Sequence, residues 1–212
     1  MTTTRIVITI IITLVTGQVA YGDSRPASTG FRINEIMAGP ARDWDGSGAF
    51  SSRDDEWVEL KNDSSGDLDL AGYFLTDGDS IPRFAFTGTL AAQARLMIFG
   101  GAAHAWEVAN GFPAFGLSLG NSGDAVILWQ VANGETLRVD SYAYRSHEAA
   151  ADRSVGRLND SGDWTLFDGL NPYTGTTAPV GTRCNPSPGA QNLCETTPVQ
   201  ASTWGRIKLR YR

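Results

Sequence analysis

Short apolar runs, each cut off by a turn dipeptide before it can complete three helical turns, constrain this chain more than any other feature. The runs are Phe31–Met37, Trp57–Lys61, Gly72–Thr76, Arg83–Phe86, Arg95–Gly100, Ala125–Gln130, Thr136–Tyr142 and Trp164–Phe167. Between them stand Ser-Gly at 65–66, 122–123 and 161–162, Asp-Gly at 77–78 and Asn-Gly at 133–134. Such pairs supply the positive backbone dihedrals that tight turns need. Val58 and Leu60 alternate with Glu59 and Lys61, so the first pair is expected on a core face and the second in solvent. Ala125–Gln130 is apolar on both faces, as a central strand requires. Helix is expected only over Ala102–Asn110, stopped by Gly111. The pattern predicts an all-β sandwich or barrel with very little helix.

At the N-terminus, Arg5 precedes an apolar run from Ile6 to Val15, and small residues follow at Gly17, Ala20 and Gly22. This reads as a secretory signal over residues 1–22, cleaved after Gly22. The run is too short to span a bilayer, which takes about 20 residues; the competing reading is an uncleaved anchor. Export predicts an extracytoplasmic, secreted or cell-surface location. A short lead, 23–30, then precedes one domain over 31–194, and a Thr/Pro-rich linker and tail fill 195–212.

Cys184 and Cys194 are the only cysteines. In an exported chain one disulfide is the simplest reading. A metal site competes, but two thiols without nearby histidine suit zinc poorly. The balance of 23 acidic against 17 basic residues argues against nucleic-acid binding by the domain body, which would need a basic face. Positive charge is concentrated at the end, where, after Trp204, Arg206, Lys208, Arg210 and Arg212 alternate with Ile207, Leu209 and Tyr211. That tail suits sorting, anchoring or contact with an anionic surface or envelope polymer; a frayed end is the alternative.

Gly116-Leu117-Ser118-Leu119-Gly120 fits the G-x-S-x-G elbow of serine hydrolases. The elbow needs a helix leaving it, and Gly120-Asn121-Ser122-Gly123 forbids one. His104 and His147 stand at no spacing that forms a catalytic or metal motif. The acidic stretch Asp43-Trp44-Asp45-Gly46-Ser47-Gly48, followed by Asp54 and Asp55, is more informative. Alternating carboxylates on a glycine-rich turn suit calcium, which takes several oxygens from a flexible backbone. Asp43, Asp45, Ser47, Asp54 and Asp55 are therefore the candidate ligands; the alternative is a solvated surface loop.

Several segments, in order, resemble the lamin-tail domain of bacterial secreted proteins. Ile33-Asn34-Glu35-Ile36 resembles its opening strand, and Asp55-Glu56-Trp57-Val58-Glu59-Leu60-Lys61-Asn62 its D-E-W-I-E-L-x-N segment. Leu68–Asp77 and Phe115–Asp124 are similar to two further stretches, and Pro186–Asn192 to its closing P-T-P-G-x-x-N. The resemblance spans Phe31 to Asn192. It implies an immunoglobulin-like β-sandwich, with the Cys184–Cys194 bracket stapling the last strand. It implies no single activity: the domain is an interaction platform in nuclear lamins and resembles an accessory module beside secreted enzymes in bacteria. The acidic insertion between Ile36 and Trp57 is longer than in the lamin version. The expected function is a non-enzymatic binding or surface-display module with an unknown protein or envelope polymer as partner. A secreted metal-dependent hydrolase, or an accessory subunit of one, and an envelope scaffold are the alternatives.

Overall fold

The computed structural model describes residues 30–194. The segments read as signal and lead (1–29) and as linker and tail (195–212) lie outside the described residues, including Trp204, Arg206, Lys208, Arg210 and Arg212. Eleven strands and one α-helix follow one another within 31–167. They are β1 Phe31–Met37, β2 Trp57–Asn62, β3 Leu68–Asp69, β4 Tyr73–Thr76, β5 Pro82–Ala85, β6 Thr89–Leu90, β7 Arg95–Phe99, α1 Gly100–Asn110, β8 Gly123–Ala132, β9 Glu135–Arg145, β10 Ser154–Arg157 and β11 Trp164–Phe167.

Two antiparallel sheets make a sandwich. One has the order β11-β10-β1-β2-β7 and the other β5-β4-β8-β9, while β3 and β6 pair as a small third sheet. This is the immunoglobulin-like all-β sandwich that the strand pattern and the family resemblance imply. Ile33, Ile36, Val58, Leu60, Ile98 and Val155 of the five-stranded sheet face Tyr73, Leu75, Val126, Leu128 and Val139 of the four-stranded one. As the apolar run implied, β8 is central, hydrogen-bonded to β4 and β9. Asn133 and Gly134, at φ 53° and 81°, make the two-residue turn of the β8–β9 hairpin, where only such residues sit without strain.

Helix α1 ends where expected, with Gly111 at φ 76° and its N–H on the Glu107 carbonyl. It starts two residues early, at Gly100 and Gly101. Glycine is a poor helix former, but here tertiary packing decides. A side chain on Gly100 would drive into the Arg53 carbonyl, so only glycine lets the helix start against the acidic loop.

The expectation for Glu59 and Lys61 is corrected. Both are buried, because the sheet face they occupy is covered rather than wet. Across the sheet, Thr165, Gly156, Glu35, Glu59 and Met97 form one register row. The neighbouring row, Leu166, Val155, Ile36, Val58 and Ile98, supplies the inter-sheet core. Side chains alternate between faces along a strand, so Glu35 and Glu59 point outward, away from the sandwich. Residues 183–194 run over them as a strap, fastened by the Cys184–Cys194 disulfide with its Cα atoms 5.3 Å apart. The disulfide closes the segment after β11, beyond the bridge between Leu166 and Gly181, and not the strand itself.

Strand β10 escaped the sequence pattern because Gly156 interrupts it. A Cβ there would lie 2.6 Å from Asn192 Nδ2 of the strap and 2.9 Å from Glu35 Cγ. The glycine makes room for the third layer. Gly156→Ala should therefore cost about 1–3 kcal/mol in urea denaturation. Gly66→Ala, where a Cβ meets nothing within 4 Å, should stay within about 0.5 kcal/mol of the parent. Equal midpoints for the two variants would refute the close-packed strap.

Candidate functional site

Two sets of side chains stand out, and both lie on the outer side of the five-stranded sheet. The first is the loop between β1 and β2. Its entry is held by Asp152, whose Oδ1 accepts from Ala41 N and Trp44 Nε1, both at 2.9 Å, and whose Oδ2 accepts from Arg42 Nε and Nη2 at 3.0 and 2.9 Å. Trp44 packs edge-on against buried Trp57, ring centroids 6.1 Å apart, and Arg42 lies over the Trp44 ring at 5.5 Å. The exit is held by the Gly100 and Gly101 amides, which donate to the carbonyls of Glu56 (2.8 Å) and Asp54 (3.2 Å).

Inside the loop, carboxylates take the place of backbone acceptors. Asp55 is fully buried, and its Oδ1 accepts from Trp44 N (2.6 Å) and Asp45 N (3.0 Å) while Oδ2 accepts from Ser51 N (2.8 Å). Asp43 accepts from Ser47 N and Gly48 N, and Asp45 from Ser47 N at 2.8 Å. That bond is the main cause holding the Asp45 carboxyl below its ordinary range.

Asp43, Asp45 and Asp55 are brought together, each offering one oxygen within 4.8 Å of the other two. Asp54 is not among them; its side chain lies beside the start of α1, where a Cβ on Gly101 would meet it at 3.5 Å. Ser47 contributes its N–H to the carboxylates, and its hydroxyl donates to the Ala49 carbonyl at 3.1 Å. Three carboxylate oxygens, from exposed Asp43, half-buried Asp45 and buried Asp55 on a glycine-jointed loop, are donors a hard cation such as calcium accepts.

The second set is the polar network under the strap, which the sequence reading left without a role. Glu35 accepts from Ser154 Oγ, Ser187 N (3.1 Å) and Ser187 Oγ (2.9 Å). Glu59 accepts from Asn34 Nδ2 (2.6 Å) and Gly189 N (2.7 Å). Asp160 binds Asn34 Nδ2, Asn192 N and Arg95, and Asn192 Nδ2 returns to the Asn34 carbonyl at 3.1 Å. Asn34 is the extra residue of a bulge, since Ile33 pairs with Leu60 but Glu35 with Glu59. A bulge re-aims a side chain, and here it puts the Asn34 amide between two carboxylates. Asn34-Glu35, Glu59 of the Asp55–Asn62 segment and the closing Asn192 are thus parts of one buried lattice.

The sequence matches the family model of the Lamin Tail Domain over residues 24–146, more than half of the chain. The chain belongs to the lamin tail domain family. No curated protein matches it. The match ends just after β9, so β10, β11 and the strap, with the closing segment Pro186–Asn192, lie beyond the matched region. They complete the lamin-tail sheet by pairing β10 with β1. The family is one of immunoglobulin-like binding and structural domains, not an enzyme family.

Ser118, the residue of the elbow-like motif, has φ 58°, but strand β8 follows it and no helix leaves the turn. His147 has Nε2 3.3 Å from the Pro179 carbonyl and its ring against Tyr173, and His104 is exposed on α1. Among the hydrogen bonds of the described residues, none joins Ser118 to either histidine.

Burial pushes Glu35 from 4.5 up to about 7, against its hydrogen bonds from Ser154 and Ser187. A carboxyl that holds its proton more tightly when folded favours folding fully below its unfolded value, and that contribution fades as pH rises through the folded one. The stability difference between the parent and Glu35→Gln should therefore decline from about pH 4.5 to 7 and flatten above. The slope should not exceed about 1.4 kcal/mol per pH unit. Urea midpoints measured at half-unit steps give the profile, and parallel curves for the two proteins would disprove it.

Proposed function

We propose that this lamin-tail domain is an extracytoplasmic, non-catalytic binding or surface-display module whose β1–β2 loop is ordered by calcium. The observation that carries this reading is the convergence of Asp43, Asp45 and Asp55 on a loop anchored at both ends. Asp55 is buried and accepts from three backbone amides. Asp43 and Asp45 sit on the exposed turn, with Gly46 and Gly48 at positive φ beside them. A cation held by such donors fixes the turn; it is not presented to a substrate beside a general base. This arrangement favours a structural ion over metal-bound water chemistry.

The signal-like sequence over residues 1–22 and the Thr/Pro-rich stretch before the basic-aromatic tail support a role outside the cytoplasm. Under this reading the tail Trp204–Arg212 carries sorting, anchoring or attachment to an anionic envelope surface, and the sandwich presents its loops to an unknown protein or envelope polymer.

Calcium at millimolar concentration should raise the melting temperature. A stabilisation of about 2.7 kcal/mol at a hundredfold excess over Kd amounts to roughly 5–10 °C for a chain of this length. Asp43→Ala with Asp45→Ala should abolish the rise, and a parent protein indifferent to calcium would sink the metal reading. For the tail, a chain ending at Thr196 should be mislocalised in the native host; unchanged location and unchanged partners would count against that role.

A further inference from the structure

At the end of the sandwich where β2 and β8 begin and β4 and β9 finish, a corner of oxygen atoms takes no part in the acidic loop or the strap network. Asp124 and Tyr144 are direct cross-strand partners. Tyr144 is 4% exposed, and its buried hydroxyl has no hydrogen-bond partner. The charges that bear on that hydroxyl are those of Asp124, Glu56 and Asp77, in that order. Over the corner runs the loop Gly116–Gly123, tied down by Leu119 N donating to Glu56 Oε2 and Gly120 N to Asp124 Oδ2, both at 3.1 Å.

The charges there do not balance. Buried Arg83 is already shared by Asp77, Asp79 and Glu107, at 2.8, 2.7 and 3.1 Å, and has no charge to spare for this corner. Asp124 is spread over three amides, those of Gly78, Gly120 and Ala125. Glu56 is 5% exposed, and among charged side chains only the exposed Arg53 acts in its favour. Glu56, with the single amide of Leu119 and no buried cation, therefore stands beside a neutral hydroxyl whose lone pairs are unused. Buried charges are normally paired or bound to an ion.

We propose that Glu56, Asp124 and the Tyr144 hydroxyl form a binding site for a single alkali cation, sodium or potassium, which fastens the 116–123 loop to the start of β2. A monovalent ion would supply the single positive charge that Glu56 lacks. Burial raises the Glu56 carboxyl to about 8, the direction expected of an acid lacking its counterion. The site is independent of calcium in the β1–β2 loop.

The test is thermal unfolding of the full chain at constant ionic strength and pH 8.5, with choline chloride exchanged for sodium or potassium chloride. At about 0.15 M the alkali salt should raise the melting temperature by roughly 2–5 °C over choline. Asp43→Asn with Asp45→Asn should keep that rise, which separates this site from the calcium reading. Glu56→Gln should abolish it, and Tyr144→Phe should shift its midpoint several-fold to higher salt. Equal melting temperatures in choline, sodium and potassium would mean that the corner holds water only and would overturn the proposal. So would a rise that survives Tyr144→Phe unchanged, a variant that removes one atom and decides the matter even where Glu56→Gln fails to fold.

Discussion

Glu35 and Glu59 stand side by side on one face of a five-stranded sheet, and neither touches water. Burial raises the cost of ionising both, and the charge of Glu59 adds to it for Glu35. Nearly everything on the outer side of the sandwich answers this constraint. The bulge at Asn34 points an amide at Glu59, Gly189 and Ser187 bring strap amides to the two acids, and Ser154 and Ser187 add hydroxyls. Gly156 has no side chain, so the strap can reach the sheet. Remove the carboxylates and the strap loses its bonds at Ser187 and Gly189; remove the strap and the carboxylates face solvent. The third layer and the acids beneath it are therefore one cooperative unit.

The same economy recurs elsewhere. Among the described residues ten acidic side chains are buried: Glu35, Asp55, Glu56, Glu59, Asp77, Glu107, Glu148, Asp152, Asp160 and Asp168. The buried cations among them are Lys61, Arg83 and Arg153, and ion pairing, that of the less buried Arg42 and Arg95 included, does not account for all of the acids. Backbone amides do. Asp168 accepts from Tyr173, Thr182 and Arg183, Asp55 from Trp44, Asp45 and Ser51, and Glu107 from Gly116. Long connections in a β-protein carry amides that no ladder satisfies, and an inward carboxylate can take two or three of them. The acidic composition is in large part the hydrogen-bonding supply of the loops.

This explains which features the sequence made legible. Alternation and turn dipeptides located eight of the strands and the hairpin at Asn133-Gly134, because those signals are local. Glu59 and Lys61 were misplaced because alternation reports that a face differs from the core and is silent on what covers it; the cover comes from residues more than a hundred positions later. Strand β10 was hidden by a glycine whose purpose is a contact with Asn192. The acidic loop was visible as a pattern of oxygens, yet spacing alone did not separate Asp55, which faces the cluster, from Asp54, which turns toward α1. Asp152, the clamp on the loop entry, had no signal at all, since its partners Ala41, Arg42 and Trp44 lie about 110 positions away.

The sandwich interior is filled by aliphatic and aromatic side chains, so specificity in a domain of this kind falls to its connections. Among them the β1–β2 loop differs from the strap in where its freedom lies. The strap is pinned along its length, at Cys184, Ser187, Gly189, Asn192 and Cys194. The loop is pinned at its ends by Asp152 and by the start of α1, and in between Asp43, Gly46, Ser47, Gly48, Ala49 and Phe50 are exposed. Phe50, 53% exposed, rides on this turn with no core to enter. A segment fixed at both ends and carrying its carboxylates and one large apolar side chain on the open middle is the part of the fold whose shape a bound ion can set without disturbing the rest.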